Sequence, residues 1–208
     1  KYGPSKKRLH DEYEREMTAY HEAGHAVLAH ILPYADPVHR ISIVSRGHAL
    51  GYTFTPPEKD KVQLLKSEML DDMVVMMGGR AAEMLIYNEQ TAGASNDIER
   101  ATRVARSMVV EYGMSDLGPM NFAPQYDRAY AKAWGEPQKI SVNLQDKVDV
   151  EIRKYIDDAQ KKAMVLLKKN RKQLDDVTKK LLEVETLDSE EFEKVMGAKK
   201  TRVVLKKS

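Results

Sequence analysis

The sequence predicts a mainly α fold with one small β-hairpin or edge strand. Apolar residues recur at helical spacing over most of the 208-residue chain, and strict alternation is confined to residues 38–55. Breakers stand at the joints between these stretches, with Pro33, Gly47 and Pro56-Pro57 the clearest.

Residues 1–10 (KYGPSKKRLH) are basic, carry a Gly-Pro break and read as a linker. From Asp11 a helical pattern runs to Leu32 and stops before Pro33, whose ring cannot continue it. Arg40-Ile41-Ser42-Ile43 and Gly51-Tyr52-Thr53-Phe54-Thr55 alternate with period two on either side of Gly47. Helical patterning resumes near Asp60 and runs to about Asn88. The Gly78-Gly79 pair inside it marks close packing against another backbone. After the loop TAGAS, Asn96 and Glu99 have the spacing of a capping box, and Ile98, Ala101, Ala105, Met108, Val109 and Tyr112 form one stripe. Residues 113–140 are rich in Gly, Pro, Tyr and Ala and read as a long loop. Beyond Ser141 the pattern predicts a helical pair broken near Asn170, then a short helix around Ser189 to Met196. The expected organisation is a linker at 1–10, a core at 11–140, a helical part of the same domain at 141–197 and a frayed tail at 198–208.

Composition narrows the function. Apolar residues are 42% and charged residues 32%, an ordinary globular balance. Lys plus Arg total 34 against 32 for Asp plus Glu, so a net charge of +2 does not point to nucleic acid. The absence of cysteine excludes disulfides, thiol nucleophiles, zinc ribbons and iron–sulfur sites, and fits a reducing compartment. No apolar run approaches the roughly 18–20 residues of a membrane helix, and no phosphate-binding loop of the G-x-x-x-x-G-K-[ST] type is present. The opening Lys1-Tyr2 in place of Met suggests a piece of a longer protein.

His21-Glu22-Ala23-Gly24-His25 is an H-E-x-x-H motif within the first predicted helix. Residues four apart share a helix face, so both imidazoles can reach one metal ion. Glu22 sits about 100° round the helix from His21, placing its carboxylate beside the metal, where it can take a proton from water. A zinc ion with three protein ligands keeps a fourth position for that water.

The third ligand is open between two acids. Glu83 follows Gly78-Gly79 in an Ala-rich helical segment, where a buried salt bridge to Arg80 is the plainer role. Asp97 stands just after the Asn96 cap, where the helix dipole favours an ionised carboxylate. Leu28 and Ile31 occupy the positions that a metzincin needs for Gly and His, so that class is excluded. His10, His30, His39 and His48 read as structural, and the methionines as core filler. The extended segment Leu50-Gly51-Tyr52-Thr53 is the candidate for pairing with a substrate backbone as an added strand.

With these residues assembled, the chain closely resembles the protease domain of the FtsH family of membrane-anchored, ATP-dependent zinc metalloproteases. The matching stretches are AYHEAGHAV (19–27), RISIVSRG (40–47), ALGYT (49–53), GGRAAE (78–83), TAGASND (91–97), GMSDLG (113–118) and LLEVETL (181–187). The resemblance implies a mainly helical zinc metallopeptidase domain with one Zn²⁺ per chain, held by His21, His25 and Asp97, and Glu22 as catalytic base. Glu83 then remains a nearby structural acid. It also implies a homo-hexameric ring on the cytoplasmic face of the bacterial inner membrane. An ATPase domain and transmembrane segments outside this chain would use ATP to feed in unfolded polypeptide. A small-amide hydrolase and a non-catalytic helical assembly module are the competing readings of the same residues.

Overall fold

The computed structural model describes residues 12–44, 51–56, 63–122 and 142–199, so the 1–10 linker, Leu50, His48 and nearly all of the 198–208 tail lie outside the described residues. Among the described residues, seven α-helices and one three-stranded sheet are arranged as α1 (Glu12–Ile31), β1 (Arg40–Ser42), β2 (Tyr52–Phe54), α2 (Lys66–Met76), α3 (Gly78–Tyr87), α4 (Ser95–Val110), α5 (Val142–Lys169), α6 (Arg171–Val184), β3 (Thr186–Asp188) and α7 (Ser189–Met196). The mainly α expectation is met, and so is the antiparallel pairing of the two alternating segments.

Helix α1 is the spine. Glu12 and Glu14 in its first turn complement the positive end of the helix dipole, and its chain turns away before Pro33. Its inner face is built from small residues, with Ala19, Ala23, Gly24, Ala26 and Ala29 all buried. That smoothness lets α3 approach until backbones touch. A Cβ on Gly24 would lie 2.4 Å from the Gly78 carbonyl oxygen, and one on Gly78 would lie 2.8 Å from the Gly24 carbonyl oxygen. Larger residues then fill the space around this contact, among them Leu28, Met73, Met108, Leu167, Leu174, Leu181 and Phe192. This one core draws on helices from both the first and the last thirds of the chain. A smaller cluster of Val109, Val110, Phe122 and Val148 joins the end of α4 to the start of α5.

Three elements differ from the sequence expectation. The 60–88 segment is two helices, α2 and α3, with a non-helical residue at Met77 between them. Periodicity alone does not register this break, because apolar residues continue on both sides of it. The proposed cap at Asn96 is also not formed: α4 begins at Ser95, with Ala94 in the cap position and no side-chain cap bond. The capping box occurs instead at α7, where Asp188 accepts from the Glu191 amide at 2.9 Å and Glu191 accepts from the Asp188 amide at 3.2 Å. Third, β1 is central, in the order β2-β1-β3, with both neighbours antiparallel. Strand β3 was hidden because three residues between two helices are too few to show alternation.

Pairing with β3 buries Ile41 and Leu187 opposite one another, and β2 and β3 are the two edges of the described sheet. The sheet therefore ties residues 186–188 to the segment after α1. Asp71, 4% exposed, accepts from Lys162 of α5 at 2.8 Å and from the Tyr34 amide at 3.3 Å. No helix among the described residues is long and apolar enough to cross a membrane.

Candidate active site

His21 and His25 project from the same face of α1, as the four-residue spacing requires. Each ring has one nitrogen already committed. The Nδ1–H of His25 donates to the Val75 carbonyl at 2.7 Å, since a carbonyl oxygen can only accept. The Nδ1–H of His21 donates to Glu83 Oε1, also at 2.7 Å. The two Nε2 atoms are left facing each other 3.1 Å apart. Asp97, in the first turn of α4, brings Oδ2 to 3.4 Å from His21 Nε2 and 3.3 Å from His25 Nε2.

In neutral imidazoles with this bonding, both Nε2 atoms are lone-pair acceptors, and the Asp97 carboxylate is a third. Three acceptors converging on one point repel unless something positive stands between them. A proton can serve. Burial disfavours charge on His21, but the carboxylates of Asp97 and Glu83 outweigh it and hold its pKa up to about 10. Burial likewise disfavours charge on Asp97, and the two imidazoles overcome it and push its pKa well below the usual range.

A metal ion satisfies the same donors better. Ligands about 2.0–2.2 Å from one tetrahedral zinc ion lie roughly 3.3–3.5 Å from each other. The three atoms here are separated by 3.1, 3.3 and 3.4 Å. His21, His25 and Asp97 form the one His/Cys/Asp/Glu group among the described residues whose donor atoms all fall within 4.8 Å of one another. The residues present fit a divalent ion with nitrogen and oxygen ligands.

Glu83 does not pair with Arg80, whose guanidinium donates to Gln90 instead. At 2% exposure it accepts from His21 and, through its two oxygens, from the amide of Thr91 at 2.9 Å and the Thr91 hydroxyl at 3.0 Å. Burial works against its charge, but the hydrogen bonds from His21 and Thr91 keep its pKa below the ordinary value. An ionised Glu83 thus holds the His21 Nδ1–H and turns Nε2 toward Asp97 and His25. The ring position has a steric cause as well: a Cβ on Gly79 would stand 2.4 Å from His21 ring atoms. The Gly78-Gly79 pair therefore divides its work, Gly78 meeting a backbone and Gly79 making room for an imidazole.

Glu22, 6% exposed, lies on the flank of α1 toward β2. The Thr53 hydroxyl donates to Glu22 Oε2 at 2.7 Å and approaches the Glu22 carbonyl oxygen at 3.1 Å. Gly51 backs the other carboxylate oxygen, since a Cβ there would lie 2.8 Å from Glu22 Oε1. Glu22, the three clustered residues, Glu83, Gly51, Tyr52 and Thr53 all line one cleft of about 1380 Å³. Sequence reading missed the parts played by Thr91, Gly79 and the Val75 carbonyl. Only the Gly-Gly pair carried a visible signal.

Comparison with known sequences identifies the family. The model of peptidase family M41 matches residues 8–195. The chain belongs to peptidase family M41. It is 47% identical over 198 residues to the ATP-dependent zinc metalloprotease FtsH 1 of Thermoanaerobacter sp. strain X514, covering 94% of this chain and 32% of that protein. It is 45% identical over 203 residues to the ATP-dependent zinc metalloprotease FtsH of Cupriavidus metallidurans, covering 96% and 31%. To the protein of the same name in Thermotoga maritima it is 40% identical over 206 residues, covering 97% and 34%. The M41 chain described here thus spans about a third of the length of these relatives.

Proposed function

We propose that this M41 chain is the zinc-dependent endopeptidase part of an ATP-dependent protease, with His21, His25 and Asp97 as ligands to one Zn²⁺ and Glu22 as general base. The supporting observation is the convergence of two imidazole nitrogens and a carboxylate oxygen at close to the spacing of ligands on a tetrahedral ion. When bound there, zinc supplies a Lewis acid that polarises a carbonyl and acidifies water to a pKa near 7.

The chain's own residues supply the rest. Glu22 takes the proton of the attacking water and passes it to the leaving amine as the C–N bond breaks. Glu83 holds His21 in its ligating tautomer, and Val75 does the same for His25. The segment Leu50-Gly51-Tyr52-Thr53, of which Tyr52 and Thr53 belong to edge strand β2, receives an extended substrate by backbone pairing, which suits unfolded polypeptides of varied sequence. The relatives' printed ATP requirement, and the two thirds of their length that this chain does not cover, support an ATPase portion that delivers substrate. A homo-hexameric ring and a place at the cytoplasmic membrane face rest on the family resemblance alone.

Replacing Glu22 by Gln tests the assignment. Zinc content is expected to stay at one per chain while cleavage of casein falls by roughly 10²–10⁴-fold, the usual share of general acid–base catalysis. Undiminished cleavage by that variant would remove Glu22 from the role of base.

A further inference from the structure

We infer that Thr53 is the positioning residue for the general base: its hydroxyl donates to the Glu22 carboxylate and holds that side chain in one orientation. This rests on the proposed role of Glu22. The geometry that carries it is specific. One hydroxyl lies 2.7 Å from the Glu22 carboxylate and 3.1 Å from the Glu22 main-chain carbonyl. The one hydroxyl proton goes to the nearer carboxylate oxygen, so the strand that holds Thr53 fixes where the tip of the Glu22 side chain can stand. Glu carries large rotamer freedom, and the Thr53 hydroxyl restrains the carboxylate that would otherwise sample it.

The strand provides the rigidity. Thr53 pairs with Ile41, which is fully buried, so the face of β2 that bears the hydroxyl is turned to the core. Gly51, two residues away on the same face, removes the Cβ that would push Glu22 Oε1 aside. The strand that offers its backbone to substrate thereby aims the base with its side chains. Threonine suits both tasks, being β-branched for the strand and hydroxylated for the carboxylate.

Thr53→Val keeps shape, strand preference and every backbone group while deleting the hydroxyl. In the zinc-loaded chain it is expected to lower kcat on a peptide substrate by roughly 10- to 100-fold, as misplacement of a catalytic group by about 1 Å does. KM should stay within about twofold and zinc content and melting temperature should match the parent. A crystal structure of the variant should show Glu22 in more than one rotamer. Thr53→Ser, which restores the donor, should recover most of kcat, and Thr53→Ala should repeat the valine result with less bulk. Parental kcat in both the valine and alanine variants, a single parental Glu22 rotamer, or a loss carried by KM alone would overturn the inference. Full activity of Glu22→Gln would overturn the underlying assignment instead, so the two failures are separable.

Discussion

Gly24 and Gly78 bring two helix backbones into direct contact, leaving no room at either position for a methyl group. That contact sets the distance between α1, which carries His21 and His25, and α3, which carries Glu83. Alanine at Gly24 or Gly78 must push the helices apart, since the obstructing atoms are backbone and cannot swing away. The expected cost is about 1–3 kcal/mol of overpacking, seen as a melting temperature lower by roughly 3–10 °C. Unchanged melting in both variants would mean the helices are not held at this separation.

Asp97 and Glu83 are both acids against His21, but their bonding differs. Asp97 faces both Nε2 atoms, whereas Glu83 meets Nδ1 and spends its remaining capacity on Thr91. Glu83→Gln is therefore expected to weaken zinc binding by roughly 10–100-fold, as loss of a partner behind a ligand does. Asp97→Ala should weaken it further. Competition against a coloured chelator measures both, and the reverse order would make Glu83 the ligand.

His30 gives the fold a pH dependence separate from the metal cluster. Burial lowers its pKa, the Lys199 ammonium lowers it again, and Glu193 opposes them in part. In the unfolded chain the same group titrates near 6.5, so below that pH the unfolded state holds a proton the folded state resists. Stability contributed by neutral His30 is thus present above about pH 6.5 and is lost as pH falls through the depressed folded value. Urea midpoints at pH 7.5 and 5.5 should separate less in His30→Gln than in the parent chain. An equal separation in both would show that His30 does not contribute.

What could be read from the sequence was local. An imidazole pair one turn apart, a helix stopped by Pro33, and alternation at 40–43 and 51–55 each depend on neighbours within a few residues, so spacing alone exposes them. The break at Met77, the strand at 186–188 and the true partner of Glu83 depend on which surfaces meet across the chain. No periodicity records that. Packing turns Asp97 toward both Nε2 atoms and Glu83 toward Nδ1, a difference between the two acids that their spacing in the sequence does not carry. Gly24 against Gly78 sets how near α3 comes to α1, and so seats Glu83 behind His21, while Asp97 arrives from α4, a separate helix whose approach no local spacing encodes.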